Sequence, residues 1–370
     1  MIQNGGNSDR NSKLSRKTLK SIELFIKNSL KSIIFNKESR VSPQVVAEPS
    51  PNILNCNKIL LLRPDRIGDV LVSIPFFRNL SEHLKDKNVK IDILLSSKNI
   101  VTKPAIQEYF NEIYCLPRNL LSIVRLIIKL KQKKYDLIID LLDNPSSTSS
   151  LIIKAVKPRY SLGFDKENRN VYTHIVPLTD KSKVHIVERI CHLLHPFGIV
   201  AEENSKSLFF QAPDDELLSL KKKKRIGINL SGSSPEKFWG IQNFKKLIEY
   251  INDRFDFEIV VFATGKYKEI SKELNNFKNV YFAPFQNDFI KFASMVKSCD
   301  VLITPDTSTV HIASAFQIPV VALYTYQDPK FGMPWFPYKT KSITLISKYN
   351  FYSDISPEDV LNGLIKLLER

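Results

Sequence analysis

The sequence predicts an α/β protein built from two similar halves, and three observations carry that reading. Short apolar runs alternate with amphipathic helical stretches, as expected for parallel sheets wound with right-handed crossovers. The alternation begins near Lys58, gives way to a polar stretch, and restarts at Arg225. In each half a strand runs into a helix through a turn bearing carboxylates or hydroxyls, at residues 58–70 and 304–311. Open α/β sheets hold their ligands at such carboxyl ends.

Residues 1–12 are polar. Between Leu14 and Phe35 the apolar residues Leu14, Leu19, Ile22, Phe25, Ile26, Leu30, Ile33 and Ile34 share a helical face, with Lys17, Lys20, Lys27 and Lys31 mostly opposite. A basic amphipathic helix suits a membrane surface. Packing against the protein or a partner explains the same face equally well. Pro43, Pro49 and Pro51 mark residues 38–52 as a linker. Strands are expected at 58–63, 91–95, 113–116 and 136–141, with helices at 74–86, 118–133, 146–156 and 182–197. Gly198 is a natural stop for the last of these. The run Lys221-Lys222-Lys223-Lys224-Arg225 closes a polar stretch and marks the boundary. Beyond it, strands are expected at 225–230, 257–263, 278–282, 300–304 and 319–324. Helices fall at 241–253, 266–276, 288–298 and 307–316, and a final one follows Ser356-Pro357-Glu358-Asp359, which carries a cap, a first-turn proline and favourable acids. The expected divisions are 1–52, 53–215, 216–345 and a C-terminal segment, 346–370, that could return to the first domain.

Of the 370 residues 43% are hydrophobic and 25% charged, enough apolar surface for two cores. No apolar stretch approaches the ~18 residues of a membrane span, and the N-terminus lacks a secretory pattern. Cys56, Cys115, Cys191 and Cys299 are scattered, which reads as reduced thiols in a cytoplasmic protein rather than a metal site. The six histidines show no paired ligand spacing, so neither a metal nor another cofactor is expected. The net charge is +16, of which +5 lies in residues 1–50. The remaining basicity favours an anionic partner: a phosphorylated substrate, an anionic membrane or nucleic acid. Nucleic acid is the weakest of these, because no recognition motif is present and aromatics do not interleave the basic runs.

Asp69 follows Gly68 at the start of a helix, where the helix field stabilises its anion. From spacing alone it serves equally as a helix cap or as a general base. Asp65, beside Arg66, competes for the second role. The loop Ser231-Gly232-Ser233-Ser234 lets backbone and hydroxyls approach a phosphate, and Lys237 supplies a compact positive charge. An ordinary flexible loop with a solvated lysine fits the same pattern. Asp306 and Thr307 are natural caps, and the amides behind Ser308 form an anion site. His311, one turn on, can face that site, although a lone helical histidine is more often structural. Glu269 suits either a ribose diol or a first-turn helix charge.

Together these residues resemble the glycosyltransferase family 9 heptosyltransferases. The resemblance rests on Asp65-Arg66-Ile67-Gly68-Asp69-Val70, on Tyr135–Leu141, Gly163-Phe164-Asp165 and His185–Arg189, and above all on Val301–Tyr324. It implies a GT-B architecture of two Rossmann-like domains facing a cleft, the acceptor on the first and the nucleotide-sugar donor on the second. It implies Asp69 as the base, Lys237 on the diphosphate, Asp306, Thr307 and His311 in the donor motif, and Glu269 on the ribose. Asp65, Arg66 and Gly68 fall on the acceptor side. Two positions depart from the family pattern: Ser308 replaces a common glycine, and Tyr324–Pro329 lacks the glycine of the usual turn.

The expected activity is therefore an inverting, metal-independent transfer of a heptose or related sugar. The donor is a nucleoside-diphosphate sugar such as ADP-heptose, and the acceptor an anionic lipid-linked saccharide of the lipopolysaccharide core. The enzyme would be cytoplasmic, with a peripheral place on the inner membrane face. A nucleotide-sugar epimerase or hydrolase of the same fold, or a non-catalytic basic adaptor for membranes or glycans, would share many of these features.

Overall fold

The computed structural model describes residues 42–214, 223–232, 234–265, 267–284 and 288–369. The helix expected within residues 14–35 and the candidate Ser233 lie outside them. The first sheet contains β1 (Gln44–Val45), β2 (Lys58–Arg63), β3 (Lys90–Ser96), β4 (Glu112–Leu116), β5 (Leu137–Asp140), β6 (Tyr160–Phe164) and β7 (His174–Val176). Its order is β1-β7-β6-β5-β2-β3-β4, and every pairing is parallel. Ile59, Leu60, Leu61 and Leu62 of β2 are fully buried, as a central parallel strand covered on both faces requires.

The second sheet contains β8 (Arg225–Asn229), β9 (Glu258–Phe262), β10 (Val280–Phe282), β11 (Val301–Pro305), β12 (Val320–Tyr324) and β13 (Ser342–Ile346). It is also parallel, in the order β10-β9-β8-β11-β12-β13. Six helices matter below: α1 (Ile67–Val72), α2 (Ile74–Leu84), α3 (Leu120–Gln132), α4 (Ile241–Arg254), α5 (Ser308–Ala315) and α6 (Pro357–Leu368).

Several expectations need correction. Strands β6, β7 and β13 were not anticipated. The expected linker supplies β1, which pairs Gln44 with His174 at the sheet edge. The helix expected over 182–197 is α-helical only over Ile186–Cys191 and tightens to a 3₁₀ segment containing Pro196. It ends at Gly198, whose φ of +73° suits a residue without a Cβ. The final helix of the C-terminal segment packs on the second lobe. Val360, Leu361, Leu364 and Leu367 of α6 share a core with Ile226, Leu247, Ile248 and Val321 of the second. Ser356 and Asp359 cap that helix reciprocally, at 3.1 Å and 2.9 Å.

The two lobes are joined by continuous apolar packing. One core cluster runs from Phe76 and Val187 in the first lobe to Val296, Ile312 and Ala322 in the second. Phe210, on the chain between the lobes, lies 5.0 Å from Phe316 and 5.6 Å from Phe289, centroid to centroid. Helix α1 packs against α5, and Gly68 near the start of α1 lies against Ser308 at the start of α5.

Candidate active site at the lobe seam

On the first lobe the site begins with Arg63, the last residue of β2, which is only 1% exposed. Its Nε donates to the Asp69 carbonyl at 3.0 Å and its Nη1 to the Leu141 carbonyl at 3.0 Å. Nη1 also reaches Asp65 Oδ2 at 3.4 Å, and Nη2 lies 3.6 Å from Asp69 Oδ1. One buried guanidinium thus organises both candidate carboxylates. Asp69 is the third residue of α1, and its Oδ2 accepts from the Arg66 amide at 3.1 Å. Only one oxygen is spent on the helix start. Capping and base chemistry are therefore compatible, because Oδ1 makes no such bond.

Asp65 is in a different position. Its Oδ1 is buried without a hydrogen-bond partner. Burial pushes its carboxyl up to about 7, and the negative charges of Asp69 and Asp140 add to the effect while Arg63 opposes it. A hydrogen bond between the Asp65 and Asp69 side chains favours the protonated form further. Behind this pair Asp140 is fully buried and held by Lys166 at 3.0 Å and the Tyr172 hydroxyl at 2.6 Å. Beside it, Asp143 pairs with Arg189 at 2.7 Å. In front, a depression at the ends of β2, β3 and β4 is lined by Asp65, Arg66, Ser97, Lys98 and Arg118. Arg118 is steadied there by a 3.0 Å bond to Ser97.

On the second lobe the organiser is Asn229, the last residue of β8. Its amide lies within hydrogen-bond distance of the hydroxyls of Thr304 (3.0 Å), Thr307 (3.2 Å) and Thr309 (3.2 Å). Its Oδ1 accepts from the Ser231 amide at 3.0 Å. The loop after β8 and the start of α5 are thereby fastened to each other. Thr307 caps α5, accepting from the Thr309 amide at 3.3 Å. Lys237 pairs with the Asp306 carboxylate, and Ser231 Oγ accepts from the Thr264 amide at 2.8 Å. A Cβ at Gly232 would fall 2.1 Å from the Lys237 carbonyl oxygen, so this close turn excludes every other residue. Tyr267 donates its hydroxyl hydrogen to the Ser234 carbonyl at 3.5 Å, a weak tie beside the Lys237 amide, which donates to the same carbonyl at 3.1 Å.

Glu269 stands apart. It belongs to the short helix Tyr267–Ser271, is 72% exposed and pairs with Lys272 at 2.6 Å. His311 lies in the seam. A Cβ on Gly68 would sit 3.1 Å from His311 Cδ2 and 3.9 Å from Ser308 Cα, so a glycine is what lets the helices approach. The imidazole is buried, its Nδ1 has no hydrogen-bond partner, and burial holds its pKa down to about 3. It is neutral near pH 7 and contributes shape to the seam, not positive charge.

The sequence reading missed Arg63 and Asn229. Each is a polar residue closing a strand whose interior is apolar, and that position at the carboxyl end is the available signal.

The arrangement places a carboxylate-bearing helix start against a second helix start lined with hydroxyls and a lysine. Comparison with known proteins finds relatives of this chain. The family model described as glycosyltransferase family 9 (heptosyltransferase) matches residues 123–364. Lipopolysaccharide heptosyltransferase 3 of Escherichia coli is 23% identical over 300 residues, spanning 72% of this chain and 83% of the relative. Among solved structures, E. coli ADP-heptose lps heptosyltransferase II superposes with a TM-score of 0.64 at 22% identity, covering 84% of this chain and 98% of that one. A glycosyl transferase family 9 protein from Veillonella parvula gives 0.67 at 19% identity, with 86% and 99% covered. The fold is accordingly the GT-B architecture, and the chain belongs to glycosyltransferase family 9, the heptosyltransferase family.

Proposed function

We propose that this glycosyltransferase moves a heptose from ADP-heptose to an anionic lipid-linked saccharide of the lipopolysaccharide-core type, inverting the anomeric centre without a metal ion. The observation that carries the reading is the seam itself, where Gly68 lets α1 and α5 touch, so that the helix bearing Asp69 meets the start of α5. Asp69 takes the proton of an acceptor hydroxyl. The oxygen attacks the anomeric carbon from the face opposite the diphosphate, and the bond from that carbon to ADP breaks. Asp65, holding its own proton toward Asp69, keeps the base oriented. The electron pair leaving with ADP is met by Lys237, by the amides at the start of α5 and by the loop at Ser231–Ser234. These positive groups do the work that a divalent cation does elsewhere.

Asp306 neutralises Lys237. An arriving diphosphate competes for the lysine and frees Asp306 for hydroxyls of the donor sugar. Val261, Ala263, Phe282 and Ala283 line an apolar cavity at the ends of β9 and β10, a suitable surface for the nucleobase. Across the seam, Arg66, Lys98 and Arg118 give the acceptor depression a positive rim. The relatives named above support the choice of sugar and acceptor. The test is incubation with ADP-heptose and a de-acylated core saccharide, with and without chelator. Release of ADP in step with heptosylated product, unaffected by chelator, supports the reading; release of free sugar or an epimer without acceptor overturns it.

A further inference from the structure

Helix α3 is unusual for a soluble protein. Eight of its thirteen residues are Leu, Ile or Val, yet only Leu130 is buried. Leu126 packs partly on the core beneath it. Leu120, Leu121, Val124 and Ile128 are 42%, 62%, 45% and 52% exposed, and the last three share one face at helical spacing. An apolar patch of this kind on a folded surface marks an interaction site.

Its surroundings indicate what covers it. Between Pro117 and Tyr135 the chain carries Arg118, Arg125, Lys129, Lys131, Lys133 and Lys134, and no acid. Glu112 on β4 meets Lys133 and lies 3.8 Å from Lys129, leaving a strong excess of positive charge. A second copy docked face to face would set these cations against themselves. An anionic lipid surface satisfies both the apolar face and the basic flank. The position also fits. Arg118, on the rim of the acceptor depression, stands two residues before the helix begins.

We propose that α3 is a membrane-docking helix, seating Leu121, Val124 and Ile128 in an anionic bilayer so that the acceptor depression opens at the lipid surface. The inference rests on the reading that the acceptor is lipid-linked. Its lipid-binding readout uses no donor and no turnover, so it can fail while heptosyl transfer stands, and the reverse.

The probe is an environment-sensitive fluorophore on Leu121→Cys in the full chain. Cys115→Ser removes the one exposed native thiol, the other three cysteines being buried. With phosphatidylglycerol-containing vesicles the label is expected to shift to the blue and to be quenched by nitroxide-bearing lipid, but not with purely zwitterionic vesicles. Unlabelled Leu121→Ser/Val124→Ser/Ile128→Ser protein is expected to partition at least about ten-fold more weakly into the same vesicles. Its turnover on a de-acylated acceptor should stay unchanged, which shows that it folds. A label that stays in water while the protein binds vesicles would overturn the proposal, placing attachment elsewhere, such as the basic N-terminal region. Shielding that grows with protein concentration in the absence of lipid would also overturn it, in favour of a second copy. Absence of vesicle binding would overturn it outright.

Discussion

Asp65→Asn should make the protein more stable at alkaline pH, an unusual outcome for a residue beside the reacting groups. The wild-type carboxyl has a buried oxygen without a partner and faces Asp69. Its folded-state value stands near 7 against 3.8 for an ordinary aspartate. Because the folded value lies above the unfolded one, the neutral form favours the fold. That contribution is complete below about pH 4 and is lost as pH rises through about 7. At about 1.4 kcal/mol per unit, less an allowance for partial solvation, ionised Asp65 costs on the order of 2–4 kcal/mol at pH 8. Asparagine keeps the shape, accepts from Arg63, can donate to Asp69 and never ionises. Denaturant midpoints of the two proteins should nearly coincide at pH 4, separate between pH 4 and 7, and hold a constant gap above that. A gap that is the same at every pH, or that favours wild type at pH 8, would refute the shared-proton description of the pair.

Four further outcomes are expected. Asp69→Asn should lower kcat by about 10²–10⁴-fold while ADP affinity, measured by calorimetry, changes little. Lys237→Met should weaken ADP binding by roughly 10–100-fold, and Lys237→Arg should not restore it fully, because a planar fork does not replace a compact ammonium. Gly68→Ala gains about 1 kcal/mol of helix propensity but forces a methyl to 3.1 Å from His311, a crowding cost of about 1–3 kcal/mol. Its melting temperature and turnover should both fall, and Gly68→Val should be worse. Arg63→Met leaves Asp65 and Asp69 without their shared cation and should cost about 3–5 kcal/mol in chemical denaturation.

The parts of this molecule visible in the sequence are those where one strong local signal suffices. Four consecutive apolar residues announced β2, and the turn after it announced Asp69. Thr307 was legible as a cap because its hydroxyl acts within its own turn. Strands β6 and β13 were not, because Tyr-Ser-Leu-Gly-Phe and Ser-Ile-Thr-Leu-Ile are short and lack the continuous apolar run that marked β2. Two residues between prolines cannot declare themselves a strand, and β1 exists only because β7 offers an edge. The apolar face of α6 was plain, but a face does not name the surface that it covers. The same limit applies within the site. Arg63 joins Asp65, Asp69 and Leu141, and Asn229 joins Ser231 to three threonines, by contacts up to 80 residues apart. Such pairings are set by tertiary structure, which also buried His311 against Gly68.

The most direct trial is a magnetic-resonance assay of the purified protein with ADP-heptose and a soluble core acceptor, run beside Asp69→Asn. Wild type should yield one ADP for each new glycosidic bond, with the anomeric configuration opposite to that of the donor, and the variant should yield almost none. Equal yields from both proteins, or a product that keeps the donor's configuration, would mean that the carboxylate at the seam is not the base.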